Sequence, residues 1–144
     1  MNNVKNKTKV PRKSYLEEAL RYVEKARECL QKAGQDGDYY AEPKYVKMAG
    51  NALWNGVLLA LKVKFPVKGS PDIMKYRQEV GNVNRNVLNV LNAGYDTCHL
   101  AMGYDGNISV AVCREGMKNA IELIEWAAAE EEEALQKADN RDFE

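Results

Sequence analysis

Apolar residues recur at three- and four-residue steps along most of this chain, and each run is closed by glycine, proline or a polar cluster. Leu16, Ala19, Leu20, Val23, Ala26, Leu30 and Ala33 form the first stripe, opposite Glu17, Glu18, Arg21, Glu24, Lys25, Glu28 and Lys32. That pattern predicts an amphipathic helix with one buried face. Ser14 and Glu17 have the spacing of a capping box that would open it. Gly34 and the polar run Gln35 to Asp38 close it. The second helix is expected to begin around Ala41 to Pro43, where proline sacrifices no intrahelical bond, and to run to about Val63. Its inner row is Tyr45, Ala49, Ala52, Leu53, Gly56, Val57, Ala60 and Val63. Gly50 and Gly56 each cost a helix about 1 kcal/mol relative to alanine, which predicts close approach of a neighbouring backbone as compensation. Trp54, Leu58, Leu59 and Leu61 widen the apolar surface, so this helix is either central to the bundle or half-buried in an oligomer interface.

Phe65 to Gly69 interrupts the pattern, and Ser70-Pro71-Asp72 restarts it as N-cap, first-turn proline and dipole-favoured acid. Ile73, Tyr76, Val80, Val83, Val87, Val90 and Leu91 carry the stripe onward. Unbroken to Met102, this helix would be about 48 Å long, too long for a compact domain of this size, so a kink or break is expected near Gly81-Asn82. Gly103 to Asn107 is the next turn, with Asn107 or Ser109 as cap of a fourth helix whose buried row is Val110, Cys113, Met117, Ala120, Ile121, Ile124 and Ala128. No alternating strand pattern is present. The expected fold is all-α, an antiparallel up-and-down bundle of four main helices over residues 14–138. Residues 1–13 hold too little apolar surface to offset the cost of ordering and read as a disordered basic arm; 139–144 read as a frayed tail.

Composition narrows the functional classes. The 144 residues suit one domain, and 21 basic against 21 acidic side chains leave no global field to steer the chain toward nucleic acid or an anionic membrane. Charge is segregated only at the ends: Lys5, Lys7, Lys9, Arg12 and Lys13 against Glu130 to Glu133. Both runs read as solvated termini, the alternative being an arm that touches phosphate or an acidic partner. Cys29, Cys98 and Cys113 are odd in number and widely spaced, which indicates neither a disulfide framework nor a zinc site. They are expected to fill the core of a cytoplasmic protein. No run approaches the ~18 apolar residues of a membrane span. No cofactor and no metal are expected.

Chemistry has few places to sit. His99 is the only histidine, and a helical wheel puts it at the core's edge beside Leu88 and Asn92, with Leu91, Tyr95, Cys98 and Met102 facing inward. Tyr95 and Asp96 lie four and three residues earlier, near enough to orient the imidazole. Arg85 lies about 21 Å away along a straight helix, and Arg77 farther. Arg114, or an arginine of a second subunit, is the basic group expected to come closer. Tyr104-Asp105-Gly106 has the composition of a tight turn, beside a helix start whose free N–H groups suit an anion. The candidate ligand or interface set is therefore Tyr95, Asp96, His99, Tyr104, Asp105 and Arg114. No phosphate-binding glycine loop, Gly-x-Ser-x-Gly or His-Glu-x-x-His is present, so no catalytic residue is assigned.

The run Lys44 to Leu61, with Met74-Lys75-Tyr76-Arg77, Tyr95-Asp96-Thr97-Cys98-His99-Leu100 and Gly103-Tyr104-Asp105-Gly106, resembles a small uncharacterised bacterial family of helical proteins. More distantly, over about residues 14–128, it resembles the HEPN-type bundles that accompany nucleotidyltransferases. That resemblance implies an RNA- or nucleotide-directed protein, since many such bundles are dimeric ribonucleases with an Arg-x(4–6)-His motif. Here only His99 carries over. The expected function is accordingly a non-catalytic interaction module, homodimeric, that binds a protein partner or small polar ligand where the third helix meets the fourth. The alternative is a HEPN-like ribonuclease or nucleotidyltransferase partner.

Overall fold

The computed structural model describes residues 12–66, 69 and 72–142, with side chains described between 15 and 129. In chain order it has α1 (Arg12–Ala33), β1 (Gln35–Asp36), β2 (Tyr39–Tyr40), α2 (Pro43–Lys64), α3 (Ile73–Val83), α4 (Arg85–Gly94), a π-helix, π1 (Tyr95–Tyr104), and α5 (Val110–Asp142). The all-α expectation holds at the level of class. The expected count of four helices does not: five α-helices, one π-helix and a two-stranded hairpin occupy the described residues. The basic residues Lys5, Lys7 and Lys9 lie outside them. Helical backbone begins at Arg12, which puts Ser14 inside α1 rather than at its cap.

Neighbours across the core give the direction of each element. Gly56 of α2 faces the carbonyl of Ala19 and Ile124, while Gly50 faces Gly103 and Gly116 faces Met102 and Cys98. Hence α2 runs antiparallel to α1 and to π1, and α5 runs alongside α2. The core itself is built from Ala19, Val23 and Ala26 of α1, Val46, Ala49, Leu53, Val57 and Leu61 of α2, Leu91, Cys98 and Met102, and Cys113, Ala120, Leu123 and Ile124 of α5. The stripe on α2 is central, and both of its glycines are places of close backbone approach, as their cost in the sequence required.

The third long helix of the sequence is three pieces. Its break falls at Asn84, two residues beyond the expected Gly81-Asn82, because Asn84 is extended (φ −157°) and its Oδ1 accepts from the N–H groups of Asn86 and Val87. A side chain that satisfies two otherwise orphaned donors defines a helix start. Gly81 instead stays helical, and its missing Cβ admits Leu88 of α4, whose Cδ2 would lie 3.1 Å from it. The chain thus folds back: Tyr76 and Val80 are buried while Val83, expected in the same stripe, is 51% exposed. Asn84→Ala should cost about 1 kcal/mol in urea unfolding, and Asn84→Asp, which keeps the acceptor, should cost little.

The hairpin is too short to have left an alternating pattern. Gly37 at φ +62° makes its turn, and β2 continues the pairing outward: the Tyr40 N–H donates to Ile108 O (2.8 Å) and the Val110 N–H to Asp38 O (3.0 Å). Asn107 Oδ1 accepts from Ser109 N–H and Ser109 Oγ from Val112 N–H, so both expected caps of the last helix are used. The hairpin and these caps close the bundle end that the sequence left open to an anion.

Candidate functional site

Of the six singled-out residues, the structure stacks two directly. Tyr95 opens π1 and His99 follows four residues on, their ring centroids 5.1 Å apart at 42°. Trp54, buried on α2, completes the cluster, 5.7 Å from the His99 ring and edge-on to Tyr95 at 5.6 Å. His99 is half-buried, the core-edge position its wheel angle predicts. Among the described residues neither imidazole nitrogen has a hydrogen-bond partner, and Asp96, exposed on π1, forms no ion pair with it.

Arg77 is the residue the sequence reading placed too far away. On a straight helix it would be remote; the fold-back at Asn84 brings its guanidinium 5.0 Å from the Tyr95 ring centroid. Its Nε–H donates to Asn92 Oδ1 at 2.8 Å, and Nη1 approaches the Met74 sulfur at 3.8 Å. Arginine, tyrosine, histidine and tryptophan from three elements therefore share one face. The signals that point to it are the break, which the sequence did announce, and the aromatic at position 54, which does not reveal its neighbours.

The other candidates lie elsewhere. Tyr104 ends π1 at 76% exposure and Asp105 follows it, exposed, its N–H donating to Leu100 O across five residues. Arg114 is exposed on α5 near Tyr40, whose phenol is pushed above its ordinary value by burial first and Cys113 second, against the lowering effect of Arg114. An open groove of about 460 Å³ lined by Arg27, Leu30, Gln31, Gln35 and Tyr40 contains none of the six.

Beneath the cluster the π-helix is held by polar contacts and by missing side chains. The Thr97 hydroxyl donates to Ala93 O (2.7 Å) and accepts from Asn119 Nδ2 (3.2 Å), which satisfies the one buried amide of α5. Cys98 Sγ donates to Gly116 O at 3.1 Å and Cys113 Sγ to Asn107 O at 3.5 Å. Burial pushes the Cys98 thiol up to about 12, with Thr97 opposing and Cys113 adding to the rise; burial alone pushes Cys113 up to about 11. Both are protonated at neutral pH and are poor nucleophiles. Because the unfolded thiols titrate near 9.0, the stability they contribute is complete below that pH and is lost as pH rises toward 11 and 12. Melting temperature should therefore fall more steeply above pH 9 for the wild type than for Cys98→Ala.

No helix among the described residues is long and apolar enough to cross a membrane. The family model described as a domain of unknown function (DUF5618) matches residues 14–129. A solved structure described as a protein of unknown function from Dyadobacter fermentans is 32% identical and superposes with a TM-score of 0.77, over 82% of this chain and 96% of that one. No curated protein matches.

Proposed function

We propose, for a chain that belongs to the DUF5618 family, a non-catalytic interaction module whose recognition surface is the outer face of π1 around His99. The carrying observation is an imidazole fixed by Trp54 and Tyr95 while neither of its nitrogens is engaged among the described residues. A ring held by packing alone keeps its polar edge for a partner, and interfaces favour aromatic, methionine and arginine side chains in this way. Exposed Leu100 and Tyr104 on π1, Met48 on the adjoining α2 and Met74 on α3 extend the surface and suit a protein partner or a second copy of this chain. Protonated, carbonyl-bonded thiols support the non-catalytic reading. Three buried free cysteines fit a reducing compartment such as the cytoplasm.

Wild-type chain, His99→Ala and Arg77→Met used as baits in the native cell, with mass spectrometry, test this. A partner held by the wild type and lost from both variants is expected; one retained equally by all three would place recognition elsewhere. Light scattering across micromolar concentrations should give a dimer mass, and a monomer throughout removes the homodimer.

A second reading, an RNA- or nucleotide-directed protein of HEPN type, is favoured by one observation: Arg77 reaches the ring on which His99 stacks, supplying an arginine that spacing in the chain denies. Labelled RNA neither bound nor cleaved, with identical traces for wild type and His99→Ala, would end it.

A further inference from the structure

We propose that the group this surface takes is a carboxylate, received on the outer edge of the Arg77 guanidinium with His99 hydrogen-bonding the remainder of the same ligand. The inference rests on placing the recognition surface at Tyr95 and His99, and it names the chemistry recognised there. Two contacts set the guanidinium plane: the Nε–H bond to Asn92 Oδ1 at 2.8 Å, and the Tyr95 ring beneath it at 5.0 Å. Neither partner carries a charge, so the arginine is oriented without being neutralised. That differs from the ordinary use of a half-buried arginine, in which a carboxylate of the same chain both positions it and cancels it.

The nearby acids are otherwise placed. Glu79 of the same helix pairs with Lys75 at 3.8 Å, Asp72 caps α3 through the Lys75 N–H, and Asp96 projects from π1 into solvent. With Nε occupied, the two terminal nitrogens form a planar pair of donors on a stacked, pre-oriented fork, the geometry that matches the two oxygens of a carboxylate. Charge decides against phosphate: a single fixed positive charge, with Asp96 adjacent to Tyr95, balances one negative charge and not two. His99, with both nitrogens open, sits on the same tyrosine.

Titration of the full chain with sodium acetate, sodium phosphate and sodium chloride at matched ionic strength, followed through the Arg77 Nε–H and His99 imidazole resonances, tests the proposal. Acetate should move both saturably in the millimolar range, phosphate should bind no more tightly, and chloride should move neither. Arg77→Met should weaken the acetate response of His99 by about tenfold or more while leaving the core resonances in place, which shows that the variant is folded. Absence of a saturable acetate response, tighter phosphate binding, or an unchanged response in Arg77→Met would each overturn the carboxylate. If acetate fails while bait capture still depends on His99, the recognition surface stands and only its ligand class falls; if capture is also indifferent to His99, both fall.

Discussion

Gly50→Ala is expected to lower the melting temperature by about 10 °C, although alanine is the better helix former by about 1 kcal/mol. A Cβ at this position would lie 2.4 Å from the Gly103 nitrogen and 2.6 Å from both Cys98 O and Met102 Cβ. Two of those three atoms are backbone, and they belong to a π-helix pinned from its other side by α5, where Gly116 stands against the Met102 sulfur. Nothing flexible is available to yield. Overpacking of this kind costs about 3 kcal/mol, and each kilocalorie is worth roughly 3–4 °C for a domain of this length. Gly81→Ala is the matched control: it too lies within a helix, but the atom it would meet is the far end of the Leu88 side chain at 3.1 Å. That variant should stay within about 1 kcal/mol of wild type. Thermal and urea unfolding followed by circular dichroism separates the two, and a Gly50→Ala protein as stable as Gly81→Ala would contradict the close approach of α2 to π1.

Trp54→Ala should cost about 3–5 kcal/mol. The indole is 7% exposed and leaves a large void between α2 and π1 when truncated. It also removes an edge-to-face contact with Tyr95 and a tilted stack with His99, contacts of roughly 0.5–1.5 kcal/mol each for aromatic pairs. Trp54→Phe refills part of the void and keeps a ring beside both neighbours, so its loss should be less than half as large. Beyond stability, the two variants divide the roles of the residue. In Trp54→Phe, His99 keeps both flanking rings and its imidazole resonances should remain near their wild-type positions. In Trp54→Ala the imidazole loses one wall, and those resonances should move toward the values of a solvated histidine even where the chain is still folded.

How far the fold could be foreseen depends on what each element writes into the chain. The stripes of α1, α2 and α5 are legible because burial on one face forces a period near 3.6, and the glycines of α2 are legible because their cost needs a reason. The break was announced by length alone; its position was not, because Asn84 is a cap through its side-chain oxygen and nothing in the spacing of Gly81-Asn82 sets them apart from it. The π-helix is illegible for a different reason. Ten residues at a wider pitch still place Tyr95, Cys98 and Met102 inward, much as an α-helix would, so the pattern of burial does not distinguish them. A hairpin of two-residue strands has no room for alternation. At the site, Tyr95 and His99 could be paired from sequence because they lie on one element. Trp54 and Arg77 could not, since one arrives across a helix interface and the other depends on a reversal of the chain that a straight-helix estimate of distance rules out.

The wide turns of Tyr95–Tyr104 also bear on how relatives of this chain are compared. A π-helix carries more residues per turn than the α-helix it replaces, so a relative that lacks a single residue between positions 95 and 104 can run through the same space as α-helix. Everything beyond the missing residue is then turned by about 100°. A one-residue gap there is therefore no neutral drift in length: it decides whether a glycine or a bulkier neighbour arrives opposite Gly50, and whether Tyr104 still points away from the bundle. Lineages that gained or lost that residue would differ in the surface they offer while retaining the same core.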